Sequence, residues 1–142
     1  MNKLRSSLKY TFKNNGLLEL ALTHKSFSKI NNERLEFLGD AILNLLISEI
    51  LFNKFQTLSE GRLSQLRASL VSGTVLNKMG EDLKLPSIIK LGLGESFDNN
   101  SITGNALEAI IAAIYLDGGY SSCREVVESI FYKKLSTLHP DD

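Results

Sequence analysis

Apolar residues recur along this chain at helical spacing, and no stretch alternates in the manner of a strand bounded by turn pairs. The densest run lies between Asn31 and Phe52, where positions 35, 37, 38, 41, 42, 43, 45, 46, 47, 50, 51 and 52 are apolar. These positions cover most of a helix circumference, so the pattern predicts a helix buried on nearly every side. Upstream, Leu4, Leu8 and Phe12 recur at fourfold spacing among Lys3, Arg5, Lys9 and Lys13, which predicts one basic amphipathic helix over residues 1 to 18. A second helix is expected from Leu17 to Ser28, followed by a turn. Downstream, Ser59 is placed to cap a helix carrying Leu63, Leu66 and Leu70, and Val75, Leu76, Met79 and Leu83 mark another that ends before Pro86. A polar loop opens at Gly92 and runs through Asn100. Ser101 to Asp117 then reads as a mostly apolar helix stopped by Gly118-Gly119, and Ser122 with Glu125 forms a capping box for a last helix burying Val126, Val127, Ile130, Phe131 and Leu135. The expected fold is all-α, with about seven helices.

Two acids interrupt the apolar run. At about 100° per residue, Glu36 and Asp40 lie about 40° apart on one helix face, which Leu43 and Ile47 continue. Asn31 and Asn32 are good caps, and acids in a first turn favour the positive end of the helix dipole, which accounts for Glu33 and in part for Glu36. It does not account for Asp40, a turn deeper, nor for Gly39, which costs a helix interior about 1 kcal/mol relative to Ala. In the helix from Ser101, Asn105 and Glu108 are about 60° apart on a face shared with Ala109 and Ala112. Small residues there allow another helix to come close. If that helix is the one bearing Glu36 and Asp40, four oxygen-bearing side chains converge. Two carboxylates about 4 Å apart repel by several kcal/mol at an effective dielectric of 20, so something positive must sit among them. An all-oxygen cluster suits Mg²⁺ or Mn²⁺.

Composition narrows the alternatives. With 142 residues and 43% hydrophobic content, one ordinary domain with a sizeable core is expected over residues 1–142. Sixteen basic and sixteen acidic residues cancel, so the chain cannot hold nucleic acid by bulk charge alone, and any such contact must be local. The single Cys123 excludes an internal disulfide, and His24, Cys123 and His139 are spaced too far apart for a zinc motif. The apolar run from Ala109 to Leu116 is far shorter than the 18 or so residues of a membrane span, and the N-terminus lacks the apolar core of a signal. The expectation is a cytoplasmic protein with no membrane partner. The Gly92 to Asn100 loop lacks the Gly-Lys-Ser/Thr ending of a nucleotide-binding loop.

The residues that carry the chemistry also carry a resemblance. Glu33-Arg34-Leu35-Glu36-Phe37-Leu38-Gly39-Asp40-Ala41 resembles the signature of the ribonuclease III family, whose members cut double-stranded RNA. Ala21-Leu22-Thr23-His24-Lys25-Ser26, Glu60-Gly61-Arg62-Leu63-Ser64, Leu66-Arg67-Ala68, Leu107-Glu108-Ala109-Ile110-Ile111 and Tyr115-Leu116-Asp117 resemble the family in the same order, so the similarity spans the chain. It implies a bacterial-type ribonuclease III endonuclease domain. Glu36, Asp40, Asn105 and Glu108 would then hold Mg²⁺, with Mn²⁺ as a substitute, and Asp40 and Glu108 would be catalytic. The implied reaction is water attack on the phosphodiester, leaving a 5′-phosphate and a 3′-hydroxyl.

The resemblance further implies accessory roles for Glu33 and Glu60, although Glu60 also reads simply as a helix-start acid. It implies a homodimer in which Phe37 helps to lock two subunits, and an RNA-facing role for the 92–100 loop. Residues 136–142 read as the start of a linker, after which bacterial members continue into a double-stranded-RNA-binding domain. The departure is Asn105, where the family carries aspartate. An amide oxygen can ligate a hard cation but brings no charge, so a weakly cutting or inactive RNA-binding homodimer stands beside the nuclease reading. A helical scaffold without RNA is disfavoured by the cost of burying unpaired acids.

Overall fold

The computed structural model describes residues 2–98 and 101–139. Among these it contains seven α-helices: α1 (Asn2–Leu8), α2 (Asn15–Ala21), α3 (Glu33–Lys54), α4 (Glu60–Leu70), α5 (Gly73–Asp82), α6 (Ile102–Ile130) and α7 (Tyr132–Ser136). A short 3-10 turn, Leu85–Ser87, follows α5, and the described residues include no strand. The two long helices, α3 and α6, pack against each other, with α5 and α2 laid on α6 and α4 on α3. The central segment of α6 from Ala106 to Ile114 is buried throughout, and Leu43, Leu46, Ile47 and Leu51 of α3 face it from the core.

Four expectations are corrected by tertiary structure. The first helix ends at Leu8 because Lys9 takes a left-handed φ of 57°, yet Leu4, Leu8 and Phe12 are all buried as their spacing required. The second helix ends at Ala21 rather than Ser28. Its continuation is captured by a distant segment: the Lys90 amide donates to the Leu22 carbonyl (2.7 Å), and the His24 amide donates to the Lys90 carbonyl (3.0 Å). Gly119 does break the helix from Ser101, with φ 86°, but helical structure resumes at once, so the chain is already helical at Ser122 and the expected capping box is not formed. The Gly118-Gly119 corner is held by Asp117, whose carboxylate accepts from Tyr10 Oη (2.6 Å) and from the amides of Lys13 (2.8 Å) and Asn14 (2.9 Å).

The fourth correction concerns α3, which is not buried on nearly every side. Phe37, Leu45 and Phe52 are 80%, 58% and 69% exposed. With the exposed Ala41 they form a stripe along one face. The Ser59 cap is as expected, its hydroxyl accepting from the Arg62 amide at 3.2 Å. Ser136 belongs to α7, and residues 140–142 of the expected linker fall outside the described residues, as do Asn99 and Asn100 of the 92–100 loop.

Candidate active site

The site is set by one close approach. A Cβ on Gly39 would lie 1.8 Å from the Glu108 carbonyl oxygen and 2.5 Å from its carbonyl carbon, so α3 and α6 meet backbone to backbone at this point. Only glycine fits there, which explains a residue that is otherwise unfavourable in a helix interior. The next residue on α3 is the exposed Asp40, whose carboxyl lies close enough to that of Glu108 to act on it. Glu108 is 8% exposed. Burial, the hydrogen bond with Asp40, and the charges of Asp40 and Glu36 together push its pKa up to about 8. Glu36, half-buried one turn before Asp40, is also shifted upward, first by burial and then by Glu33. Glu108 therefore holds its proton to a higher pH than an ordinary carboxyl, and a cation placed beside it would favour its release.

Asn105 lies one turn before Glu108 on α6 and is half-buried. Its side-chain nitrogen donates to Ser101 Oγ at 3.1 Å, which fixes the orientation of the amide group. Glu33 is exposed at the start of α3, where its amide is capped by Asn31 Oδ1 at 3.0 Å. Its influence reaches Glu36 by charge alone. Glu60 is not brought to this cluster. It is the first residue of α4 and lines a hollow with Phe52 and Arg67. Phe52 is twelve residues beyond Asp40, about 18 Å along the axis of α3.

A cation that the sequence did not reveal is Lys25, in the segment between α2 and α3, which draws the Glu36 carboxyl back down. Nothing local in the sequence signals it. The segment is aimed by Asn32, whose amide donates to the Thr23 carbonyl (2.9 Å) and whose side chain donates to the Ala21 carbonyl (3.0 Å). Arg34, in the first turn of the same helix, is exposed and lines a largely apolar hollow beside Phe37 and Leu116.

Among the described residues, no group of three or more His, Cys, Asp or Glu is arranged to hold a metal ion. Mg²⁺ does not require one. It keeps several waters and is commonly bound through one or two carboxylates together with substrate phosphates. Asp40 and Glu108, with the amide of Asn105 one turn away on α6, fit that hard, water-rich chemistry.

The raised Glu108 pKa has a measurable consequence. The folded protein holds a proton on Glu108 that the unfolded chain, with an ordinary value of 4.5, has already released between pH about 5 and about 8. Stability without divalent ions should therefore fall as pH rises across that window, by a few kcal/mol at about 1.4 kcal/mol per unit. Thermal melting in chelator from pH 5 to 8 should show a declining Tm that Glu108→Gln flattens. An equal decline in that variant would assign the effect elsewhere.

Comparison with known proteins places this geometry. A family model described as Ribonuclease-III-like matches residues 14–135. A ribonuclease 3 of Hahella chejuensis is 45% identical over 100% of this chain and 65% of its own length. The chain thus spans just under two thirds of that relative. The crystal structure of the nuclease domain of ribonuclease III from Campylobacter jejuni superposes with a TM-score of 0.90 at 42% identity, covering 98% of both chains. A second structure of that nuclease domain, described in terms of structural flexibility in the region involved in dimer formation, gives 0.88 at 44% identity, covering 94% of this chain and 97% of the other. No helix among the described residues is long and apolar enough to cross a membrane. The match of sequence and fold over nearly the whole chain, with the Gly39 crossing at its centre, establishes that this chain belongs to the ribonuclease III family.

Proposed function

We propose that this chain is the catalytic domain of a metal-dependent endoribonuclease that cuts double-stranded RNA. The observation that carries this reading is the buried Glu108 facing the exposed Asp40 at the α3–α6 crossing, where burial and the neighbouring acids make Glu108 hold a proton that a divalent cation would displace. Asp40 and Glu108 are the principal ligands, Asn105 supplies an amide oxygen, and Glu36 adds negative charge from one turn away. A bound divalent ion supplies the charge that activates a water for in-line attack and stabilises the leaving oxygen. The protein's part is to hold both carboxylates on rigid helices and to release the Glu108 proton as the ion binds. The ends expected are a 5′-phosphate and a 3′-hydroxyl. Cleavage of duplex RNA in Mg²⁺, with products that ligate directly and lose phosphate to a 5′-phosphatase reaction, tests this. Products carrying 3′-phosphates would refute it.

Asn105 motivates the second reading, a duplex-binding homodimer that cuts weakly. Duplex binding in Ca²⁺ without cleavage in Mg²⁺ or Mn²⁺ would favour it.

A homodimer fits either reading. The stripe of Phe37, Ala41, Leu45 and Phe52 on α3 is an exposed, largely apolar face, with Leu116 across a shared hollow from Phe37, and a second copy of the same face is its natural cover. Truncating a central aromatic at an interface costs about 2 kcal/mol or more. Phe37→Ala should therefore weaken dimerisation by at least about tenfold in sedimentation equilibrium, since about 1.4 kcal/mol is a factor of ten. A wild-type protein that runs as a monomer at micromolar concentration would contradict the proposal.

A further inference from the structure

The first turn of α6 is capped from outside its own helix. Ser101 is the N-cap, the position whose hydroxyl usually accepts from an amide two or three residues on, yet it makes no such bond. The Gly104 amide instead donates to Oδ1 of Asn77, a half-buried residue of α5, at 2.6 Å. The fit between the two helices is tight here. A Cβ on Gly104 would come within 2.8 Å of Asn77 Oδ1 and 3.1 Å of the Asn77 backbone nitrogen. Immediately alongside, a Cβ on Gly80 would come within 2.4 Å of Thr103 Cγ2. Because Asn77 satisfies Gly104, the Ser101 hydroxyl is left to accept from the Asn105 side chain at 3.1 Å. The bond from the Asn105 nitrogen leaves the amide oxygen as that group's ligand atom.

We infer that Asn77 is a positioning residue for Asn105. By taking over the cap of α6, it frees Ser101 to hold the Asn105 amide with its oxygen presented as a ligand. Asn77 touches neither metal nor RNA, and acts through Ser101. The inference rests on the reading of Asn105 as a ligand. A neutral ligand has no charge to draw it toward a cation, so its orientation must come from the protein, as outer-shell hydrogen bonds orient ligands generally.

The device predicts an unusual pattern of coupling. In Asn77→Ala, the Ser101 hydroxyl should swing back to cap Gly104, so the melting temperature changes little while Asn105 is released. In Ser101→Ala, the cap by Asn77 stays and Asn105 is released directly. Only the double variant loses the cap altogether. Mn²⁺ binding to the RNA-free protein, measured by titration calorimetry, should weaken about tenfold in either single variant and no further in the double. Melting temperature in chelator should stay near wild type in both singles and fall by about 3 °C or more in the double. Asn77→Asp keeps an acceptor of the same reach and should preserve the melting temperature and the orientation of Asn105.

If wild type binds Mn²⁺ and neither single variant weakens it, the positioning role is wrong while the metal site stands. A melting temperature in Asn77→Ala as low as in the double variant would also overturn it, because Ser101 would then not be taking over the cap. If wild type itself fails to bind Mn²⁺, the reading of the site falls and the inference with it.

Discussion

Glu108→Gln is expected to lower duplex-RNA cleavage by about a thousandfold while leaving the fold intact. Charge stabilisation by a bound cation is worth several kcal/mol, and each 1.36 kcal/mol is about tenfold in rate. Gln has nearly the same volume as Glu and can still hydrogen-bond to Asp40, but it cannot bring a charge to a cation. The stability effect should have the opposite sign to the activity effect. At pH 8 without divalent ions, the wild-type fold carries the cost of a carboxyl whose pKa is pushed up to about 8. The amide carries no such cost, so the variant should melt at the same temperature or higher. Millimolar Mg²⁺ or Mn²⁺ should raise the wild-type Tm by mass action and leave the variant unmoved. Equal stabilisation of both by the ion would remove Glu108 from the site.

The second large effect belongs to Gly39→Ala. The added Cβ would meet the Glu108 carbonyl oxygen at 1.8 Å, and the obstacle is backbone in the middle of a buried helix. The helices must separate, and overpacking of this kind costs about 1–3 kcal/mol and occasionally more. Separation also pulls Asp40 away from Glu108. The variant should therefore lose most cleavage together with several degrees of melting temperature. Gly61→Ala and Gly73→Ala are the contrast, since a Cβ at either position meets nothing within 4 Å. Both lie in helices, and there Ala should be neutral or stabilising by up to about 1 kcal/mol. Comparable losses in all three would show that the crossing at Gly39 is not special.

The all-α architecture and the unusual Gly39-Asp40 step were legible in the sequence for a physical reason. Helical spacing reports which side of an element is apolar, and Gly39-Asp40 stood out because a helix interior tolerates neither without compensation. What was not legible depended on what lies across from each residue. The pattern marked Phe37, Leu45 and Phe52 as apolar but did not say whether this chain covers them, and it does not. The end of α2 at Ala21 is decided by Lys90, nearly seventy residues away, whose backbone captures Leu22 and His24. Lys25 reaches Glu36, and Asn77 reaches Gly104, only through the packing of separate elements. Glu60 shows the reverse case. The resemblance implied an accessory role and the spacing a helix-start acid; the fold sets it in the first turn of α4 beside Phe52, apart from Asp40 and Glu108 within the chain.

The most direct measurement is the initial rate of cleavage of one labelled RNA, presented as a duplex and as a single strand, in Mg²⁺, in Mn²⁺ and in chelator. The account predicts cleavage of the duplex in either ion, none in chelator, and little or none of the single strand under any condition. Duplex cleavage that persists in chelator would contradict it, as would a folded protein that leaves the duplex intact at every Mg²⁺ and Mn²⁺ concentration.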